Sequence, residues 1–135
     1  MNLKSIFRCA LRALFGSLFI SYAADAAEHT TDTLAVVKTN IDQGKAVFVD
    51  VREKAEWDQG HLQGALWMPL SQLRRGAAPD TLDSRIDKET ICYTHCKAGG
   101  RSLTAADILT KLGYEVRPLK QGTADLIKAG FPKAE

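Results

Sequence analysis

The apolar positions of the chain follow two patterns, one typical of buried strands and one typical of helices with a single buried face. Residues 46–51 form a β-branched apolar run without alternation, as in a parallel strand that is buried on both sides. Within residues 102–112, apolar side chains recur on one helical face, and Gly113 ends the pattern. The residues of that face are Leu103, Ala106, Leu109 and Leu112. Further strands are predicted over residues 65–68, 90–95 and 114–116, and further helices over 33–43, 53–57, 70–75, 80–86 and 124–128.

Strands that alternate with helices predict an α/β fold with a mostly parallel sheet. In such sheets, ligands bind at the carboxyl ends of the strands. Two segments with charged residues, 50–52 and 96–101, lie at the carboxyl ends of predicted strands. We therefore expect both segments at the ligand-binding edge of the sheet.

The N-terminus has a different character from this domain. Lys4, Arg8 and Arg12 precede an uncharged stretch over residues 13–24, and Ala24-Asp25-Ala26 has the small-x-small pattern of a cleavage site. Together these features predict a secretory signal peptide over residues 1–26, followed by a flexible start over 27–32 and one folded domain over 33–133. Cleavage after Ala26 fits best, and cleavage elsewhere between Ala23 and Ala27 is an alternative. An uncleaved membrane anchor fits less well because a spanning helix needs about 20 apolar residues.

Composition and charge narrow the range of functions. The 135 residues are enough for one domain with a core of its own. The formal net charge is +2, and loss of the N-terminal segment, with three basic residues and Asp25, reduces it to zero. A neutral domain has no basic excess to attract nucleic acid or an anionic membrane surface. We therefore expect neither partner, and no stable membrane insertion after cleavage.

The most informative segment is a cysteine that leads from a strand into a glycine-containing loop and then a helix. Gly99 and Gly100 allow the backbone to curl so that successive N–H groups point inward. A helix that begins near Ser102 would add its unpaired N–H groups and its positive dipole end. This arrangement binds anions and favours the thiolate form of Cys96.

Two basic residues of this loop, Lys97 and Arg101, would add positive charge beside the thiol. The alternative is that the cysteine is a buried structural residue. This interpretation fits Cys92, in mid-strand beside Ile91, and fits Cys96 poorly. The segment therefore predicts a nucleophilic Cys96 that attacks an atom carried by a small oxyanion.

A disulfide between Cys92 and Cys96 is disfavoured by geometry. Four residues of extended chain separate the Cα atoms by roughly 13 Å, and a disulfide needs less than about 7 Å. We expect structural roles for the other candidate side chains. Trp57 and Trp67 are predicted in the core, and His95 in a structural role. His61 is predicted to be a hydrogen-bonding spacer, and His29, near the N-terminus, to be disordered.

Three groups of residues resemble the rhodanese family, in the right order along the chain. The first consists of Asp50-Val51-Arg52, Glu56, Trp57, Gly60-His61-Leu62-Gln63-Gly64-Ala65 and Pro69. The second, Cys96-Lys97-Ala98-Gly99-Gly100-Arg101-Ser102, resembles the family's C-x-x-G-x-R-S active loop. The third, with Leu119, Gly122 and Ala129-Gly130-Phe131-Pro132, resembles its closing motif.

The resemblance implies a single rhodanese-like α/β domain whose mostly parallel, five-stranded sheet has helices on both faces. It also implies a thiosulfate sulfurtransferase in which Cys96 takes the outer sulfur of thiosulfate and passes it to cyanide or a thiol, without metal or cofactor. A sulfur-accepting protein is a possible partner. The anion-binding loop would comprise Lys97, Ala98, Gly99, Gly100, Arg101 and Ser102, and Asp50 and Arg52 would brace it. With its signal peptide, the chain resembles the family's small periplasmic members.

The chain departs from the family pattern at two positions. Gln121 stands where a glycine is usual, and Leu126 stands where a tryptophan is usual. We expect both to affect the flank of the pocket and the choice of acceptor.

Three alternatives remain open. Cysteine-dependent phosphatases and arsenate reductases of the related fold usually place five residues between the cysteine and the arginine, and here four residues separate Cys96 from Arg101. A sulfur-carrier module that receives its persulfide from a partner protein would retain the same cysteine. A thiol redox protein would pair Cys92 with Cys96.

Overall fold

A computed structural model of the chain describes residues 25–76, 82 and 84–135. The predicted signal peptide, apart from Asp25 and Ala26, lies outside these residues, as do positions 80, 81 and 83 of the predicted helix over 80–86. The described elements are α1 (Leu34–Asp42), β1 (Ala46–Asp50), α2 (Lys54–Asp58), β2 (Leu66–Trp67), α3 (Leu70–Arg74), β3 (Ile91–His95), α4 (Gly100–Lys111), β4 (Glu115–Val116) and α5 (Thr123–Lys128).

The first helix illustrates how the predicted signals act locally. Thr33 caps α1, and its Oγ1 accepts a hydrogen bond from the amide of Val36 at 3.3 Å. The helix ends just before Gly44, whose φ of +69° is the left-handed conformation that glycine adopts without steric cost. Within α1, the side chain of Val37 is fully buried.

Helix α4 differs from its prediction at both ends. It begins at Gly100 rather than near Ser102, because Gly99 adopts a left-handed conformation (φ +91°) and serves as the N-cap. Leu112 is 39% exposed, so its predicted place on the buried face is wrong. It lies beyond the last helical residue, where the buried stripe has already ended. The buried face consists of Ser102, Ala105, Ala106 and Leu109.

All four described strands are parallel, in the order β2-β1-β3-β4. The resemblance implies five strands, and four lie within the described residues. Strands β1 and β3 occupy the centre of the sheet, and Asp50 at the end of β1 pairs with His95 at the end of β3. The carboxyl ends of the two central strands therefore meet at one point.

The sheet separates two apolar clusters. Alternate residues of β1 point to opposite faces, so Val49 belongs to one cluster and Phe48 to the other. The first cluster includes Leu73 of α3 and Leu109 of α4, and the second includes Val37 and Leu126. Helices therefore cover both faces, as predicted. Among the described helices, none has both the length and the apolar character needed to cross a membrane.

Candidate active site

The predicted nucleophile directly follows the central strand β3. Cys96 is 1% exposed and packs at the edge of the first apolar cluster. The backbone amide of Gly99 lies 3.1 Å from Cys96 Sγ, with the N–H directed at the sulfur. The loop of residues 96–101, which we call the Cys96 loop, therefore curls around its own thiol.

The backbone of this loop has the conformation of a nest, a concavity lined by neighbouring N–H groups. Gly99 is left-handed and Gly100 is already helical. Two successive residues of opposite hand direct their neighbouring N–H groups into one concavity. Gly100 and Arg101 are also the first residues of α4, and their amides have no intrahelical acceptor. Of the predicted amide cradle, the structure shows the Gly99 amide directed at the thiol.

The carbonyl group of Gly99, on the outer side of the nest, has two side chains within hydrogen-bonding distance. Ser102 Oγ lies 2.6 Å from the Gly99 carbonyl oxygen and 2.9 Å from that of Leu119. His29 Nε2 also lies 3.0 Å from the Gly99 oxygen. We predicted a disordered His29 from its position near the N-terminus, whereas the structure places its ring against the back of the Cys96 loop.

The two basic residues of the loop differ in their surroundings. Lys97 is exposed and has no ion-pair partner among residues 25–76, 82 and 84–135. Arg101 instead makes two hydrogen bonds to Glu56, from Nη1 to Oε2 at 2.6 Å and from Nη2 to Oε1 at 2.7 Å. Arg101, which we expected to add positive charge beside the thiol, is therefore paired with a carboxylate of α2.

This pairing shifts the ionisation of both groups. Hydrogen bonding from Arg101 lowers the pKa of Glu56 to about 2, although burial acts in the opposite direction. The same hydrogen bond raises the pKa of Arg101 above its ordinary value. The pair is therefore ionised at neutral pH and ties the start of α4 to α2.

Asp50 and Arg52 form a second, more deeply buried ion pair. Arg52 Nη2 lies 2.7 Å from Asp50 Oδ2, and the Asp50 side chain has no exposed surface. The same Nη2 donates to the carbonyl oxygen of Gly60 at 2.8 Å. The backbone amide of Val51, between the two charged residues, donates to the carbonyl of His95. The pair thus fixes the connector at Gly60 and the end of β1 beside the Cys96 loop.

A cavity of about 200 Å³ opens beside the loop. Its lining consists of Arg52, Glu56, Gln59, Lys97, Thr123 and Ala124. Thr123, which lines this cavity, also contacts the backbone of Cys96, because its amide donates to the Cys96 carbonyl at 3.0 Å. A larger cavity of about 310 Å³, lined by Gly44, Lys45 and Ile91 among others, lies at the amino ends of the strands, away from Cys96.

The two departures from the family pattern lie in different surroundings. Gln121 is half-buried beside Gly122, where an added Cβ would lie 1.9 Å from the Lys97 carbonyl oxygen. Leu126 is fully buried in the second apolar cluster, with Phe48 and Tyr93. Leu126 therefore does not itself line the cavity, because its side chain points into the core.

Sequence reasoning missed several neighbours of the site. Glu56 was noted only as part of a motif, and its Arg101 partner is 45 positions away. His95, for which we predicted a structural role, is fully buried, and its Nδ1 lies 3.1 Å from Thr123 Oγ1, a neighbour that the sequence did not indicate. Thr123 could have been found only through its place after Gly122 in the closing motif.

The aromatic residues near α2 also differ from their predicted core positions. Trp57 and Trp67 are half-buried and stack on each other, with ring centroids 6.0 Å apart. His61 stacks on Trp57 at 3.6 Å, and its Nδ1 lies 3.2 Å from the Trp57 carbonyl oxygen. The predicted hydrogen-bonding role of His61 is thus confirmed.

The remaining thiol of the described chain is chemically distinct. Cys92 is fully buried in β3, and burial raises its pKa to about 11. Both cysteines are free thiols in the structure. The described residues also contain no cluster of three or more His, Cys, Asp or Glu side chains that could hold a metal ion.

Comparisons with known proteins agree with this architecture. Residues 33–129 match the family model of the rhodanese-like domain. The chain is 34% identical over 93 residues to the probable adenylyltransferase/sulfurtransferase MoeZ of Mycobacterium tuberculosis, covering 68% of this chain and 23% of that protein. It is 35% identical over 78 residues to a putative mitochondrial thiosulfate sulfurtransferase of Schizosaccharomyces pombe, covering 51% of this chain and 54% of that protein.

Two further similarities concern smaller proteins. The thiosulfate sulfurtransferase PspE of Escherichia coli is 33% identical over 67 residues, which cover 50% of this chain and 61% of that protein. The structure of the human single-domain sulfurtransferase TSTD1 aligns with a TM-score of 0.63 at 23% identity, over 75% of this chain and 97% of that one. The chain spans less than two thirds of the length of each of these three sequence relatives.

Proposed function

Because the chain belongs to the rhodanese-like sulfurtransferase family, we propose that it transfers the outer sulfur of thiosulfate, through a persulfide on Cys96, to cyanide or to a thiol. The observation that carries this proposal is the curled Cys96 loop, in which the Gly99 amide lies 3.1 Å from Sγ. Thiosulfate is the donor that the names of two relatives contain.

The first half-reaction is a displacement at sulfur. The Cys96 thiolate attacks the outer sulfur of thiosulfate, a bond forms between Sγ and that sulfur, and the S–S bond of thiosulfate breaks. The bonding electron pair leaves with sulfite. The converging amides of Gly99, Gly100 and Arg101 stabilise the negative charge of the thiolate and then of the persulfide.

The second half-reaction restores the thiolate. Cyanide or an acceptor thiolate attacks the terminal sulfur of the persulfide, and the bond between that sulfur and Sγ breaks with its electron pair returning to Cys96. The product is thiocyanate or a new persulfide. Electrons balance within each step, and no external oxidant or reductant enters the cycle.

The side chains around the loop have separate roles in this proposal. Lys97 attracts the dianionic donor into the cavity, since Arg52 and Arg101 are already paired with carboxylates. Asp50 and Arg52 position the connector opposite the loop and do not touch the sulfur. The bidentate contact of Arg101 with Glu56 also disfavours the phosphatase alternative, since a phosphate-binding arginine would direct its guanidinium at the substrate.

The test is thiocyanate formation from thiosulfate and cyanide by protein purified after expression of the full-length chain. We expect turnover by the wild type, none by Cys96→Ser, and largely retained turnover by Cys92→Ser, the matched control in the strand that precedes Cys96. A well-folded and reduced wild type without turnover would contradict the proposal. That result would favour a sulfur carrier that receives its persulfide from a partner protein.

We also propose that the protein acts in the periplasm, after removal of a signal peptide. This proposal rests on the basic start, the short apolar stretch and the small-x-small pattern of residues 1–26. The physiological donor and acceptor would then be small sulfur compounds or a protein of that compartment.

A further inference from the structure

The segment of residues 27–32, which we call the N-terminal segment, contacts the domain at several points. The amide of Ala27 donates to Asp107 Oδ1 of α4 at 2.7 Å, and the amide of Thr30 donates to the Pro118 carbonyl at 2.8 Å. Although the sequence suggests a loose start here, the structure gives the segment defined contacts on both sides of His29.

The end of the segment is held by charge. Asp32 Oδ2 accepts from Tyr93 Oη at 2.6 Å and from Arg117 Nη1 at 3.0 Å. The Tyr93 hydroxyl is the largest cause of the lowered pKa of Asp32, and Arg117 adds to it. Asp32 is thus ionised at neutral pH and fixes the chain three residues beyond His29.

Between these points, His29 reaches the Cys96 loop from behind. Its Nε2 lies 3.0 Å from the Gly99 carbonyl oxygen. A carbonyl oxygen only accepts, so Nε2 carries the hydrogen of this bond. The ring also packs on the glycine itself, because a Cβ added to Gly99 would lie 2.9 Å from Nε2.

The Gly99 carbonyl controls the orientation of the nest. The peptide bond between Gly99 and Gly100 is trans, as are all peptide bonds of the described chain. In a trans peptide, the carbonyl oxygen and the next N–H point in opposite directions. A donor that holds the Gly99 oxygen outward therefore holds the Gly100 N–H inward.

We propose that His29 is a positioning residue of the sulfurtransferase site, which fixes the Gly99–Gly100 peptide so that the loop amides face the Cys96 sulfur. Ser102 holds the same oxygen from within α4, and His29 supplies the second donor from the N-terminal segment. Because glycine stands on both sides of this peptide, the peptide can rotate with little steric resistance. A second donor to the Gly99 oxygen would restrict that rotation. The inference rests on the proposed function for its biological meaning, and its test does not require turnover.

The test measures the rate of Cys96 alkylation by iodoacetamide as a function of pH, with the modified residue located by mass spectrometry. The variants are His29→Ala, His29→Gln, whose amide can donate to the same oxygen, and Glu28→Ala, the exposed neighbour in the same segment. All are purified after expression of the full-length chain. Thermal unfolding of each variant is recorded in parallel.

We expect His29→Ala to slow alkylation at neutral pH by about three- to tenfold, the effect of one hydrogen bond, and to move the midpoint of its pH profile upward. His29→Gln should recover most of the rate, and Glu28→Ala should match the wild type. Sulfite release in a single turnover with thiosulfate should change in parallel.

An unchanged alkylation profile in His29→Ala would overturn the inference. So would a loss that His29→Gln fails to recover and that accompanies a large fall in melting temperature, since this would show a structural role alone. If the variants differ from the wild type in alkylation as expected, but the wild type shows no thiosulfate turnover, the proposed function is contradicted and the positioning role of His29 is retained.

Discussion

His95, the residue directly before the proposed nucleophile, is buried as a neutral ring. Its Nδ1 contacts Thr123, its ring meets Phe48 edge-on at 5.7 Å, and its Nε2 has no hydrogen-bond partner in the described part of the chain. Burial lowers the pKa of His95 to about 4, with Asp50 opposing this shift and Arg52 adding to it. The residue therefore adds no positive charge next to Cys96 at neutral pH.

This burial predicts a pH-dependent loss of stability. The unfolded state binds a proton on His95 near its ordinary pKa of 6.5, and the folded state does so only near 4. The free energy of unfolding should therefore fall as the pH falls from 6.5 to 4, by up to about 3 kcal/mol. Urea unfolding between pH 7 and 4 measures this fall.

The control is His95→Asn, which removes the titration and retains a polar group for Thr123. The variant is expected to be less stable than the wild type at pH 7, with a smaller fall toward pH 4. Parallel pH dependence in the two proteins would contradict the assignment.

Residue by residue, sequence reasoning succeeded for local features and failed for distant partners. The glycines next to Cys96 are enough to predict a curled loop, since they determine the backbone conformation in place. The partner of Arg101 is 45 positions away and that of Gly99 in the N-terminal segment is 70 positions away. Such contacts depend on how elements pack, and no local pattern encodes them.

At the scale of elements, the close approach of two loops shapes the site. Gly122, the N-cap of α5, lies against the Lys97 carbonyl, and the amide of Thr123 donates to the Cys96 carbonyl. A side chain at position 122 would separate the two loops. The glycine is therefore required by space rather than by backbone conformation, since its φ of −83° suits any residue.

Gly122→Ala tests this contact. Its Cβ would lie 1.9 Å from the Lys97 oxygen, so backbone must move. We expect a loss of about 1–3 kcal/mol in the free energy of unfolding, together with reduced sulfur transfer. Gly100→Ala is the matched control for stability, because its Cβ would meet no atom within 4 Å and alanine is the better helix former. Equal stability of Gly122→Ala and the wild type in urea unfolding would refute the predicted clash.

At the scale of the whole molecule, the apolar patterns were sufficient to predict the α/β class and the meeting of two strand ends. Parallel strands align their carboxyl ends, and this places Asp50 beside His95 without any information on side-chain contacts. The half-buried positions of Trp57 and Trp67 could not be predicted in this way. Their stacking on each other and on His61 depends on how α2 and β2 pack.

The whole-molecule prediction concerns the N-terminus. After expression in a Gram-negative host, we expect the periplasmic fraction to contain a chain that begins at Ala27, identified by intact mass. Its new α-amino group would replace the amide that now lies 2.7 Å from Asp107 Oδ1, and the hydrogen bond would become an ion pair. Leu18→Asp, which interrupts the apolar stretch, is the control and should remain unprocessed in the cytoplasm. Recovery of the wild type as an intact chain in the cytoplasm or the membrane would contradict the prediction.

The separation of the two described thiols limits what each molecule can carry. Cys92 lies within the extended strand β3, and its Sγ directs its hydrogen toward the Thr90 carbonyl, 3.7 Å away. Four residues of nearly extended chain keep it roughly 13 Å from Cys96. In the proposed persulfide cycle, Cys92 would therefore not act as a resolving thiol, and the described residues would carry one sulfur atom, on Cys96. In the proposed cycle, the sulfur would then leave Cys96 only by transfer to an external acceptor, so the supply of that acceptor would set how long each sulfur stays on the protein.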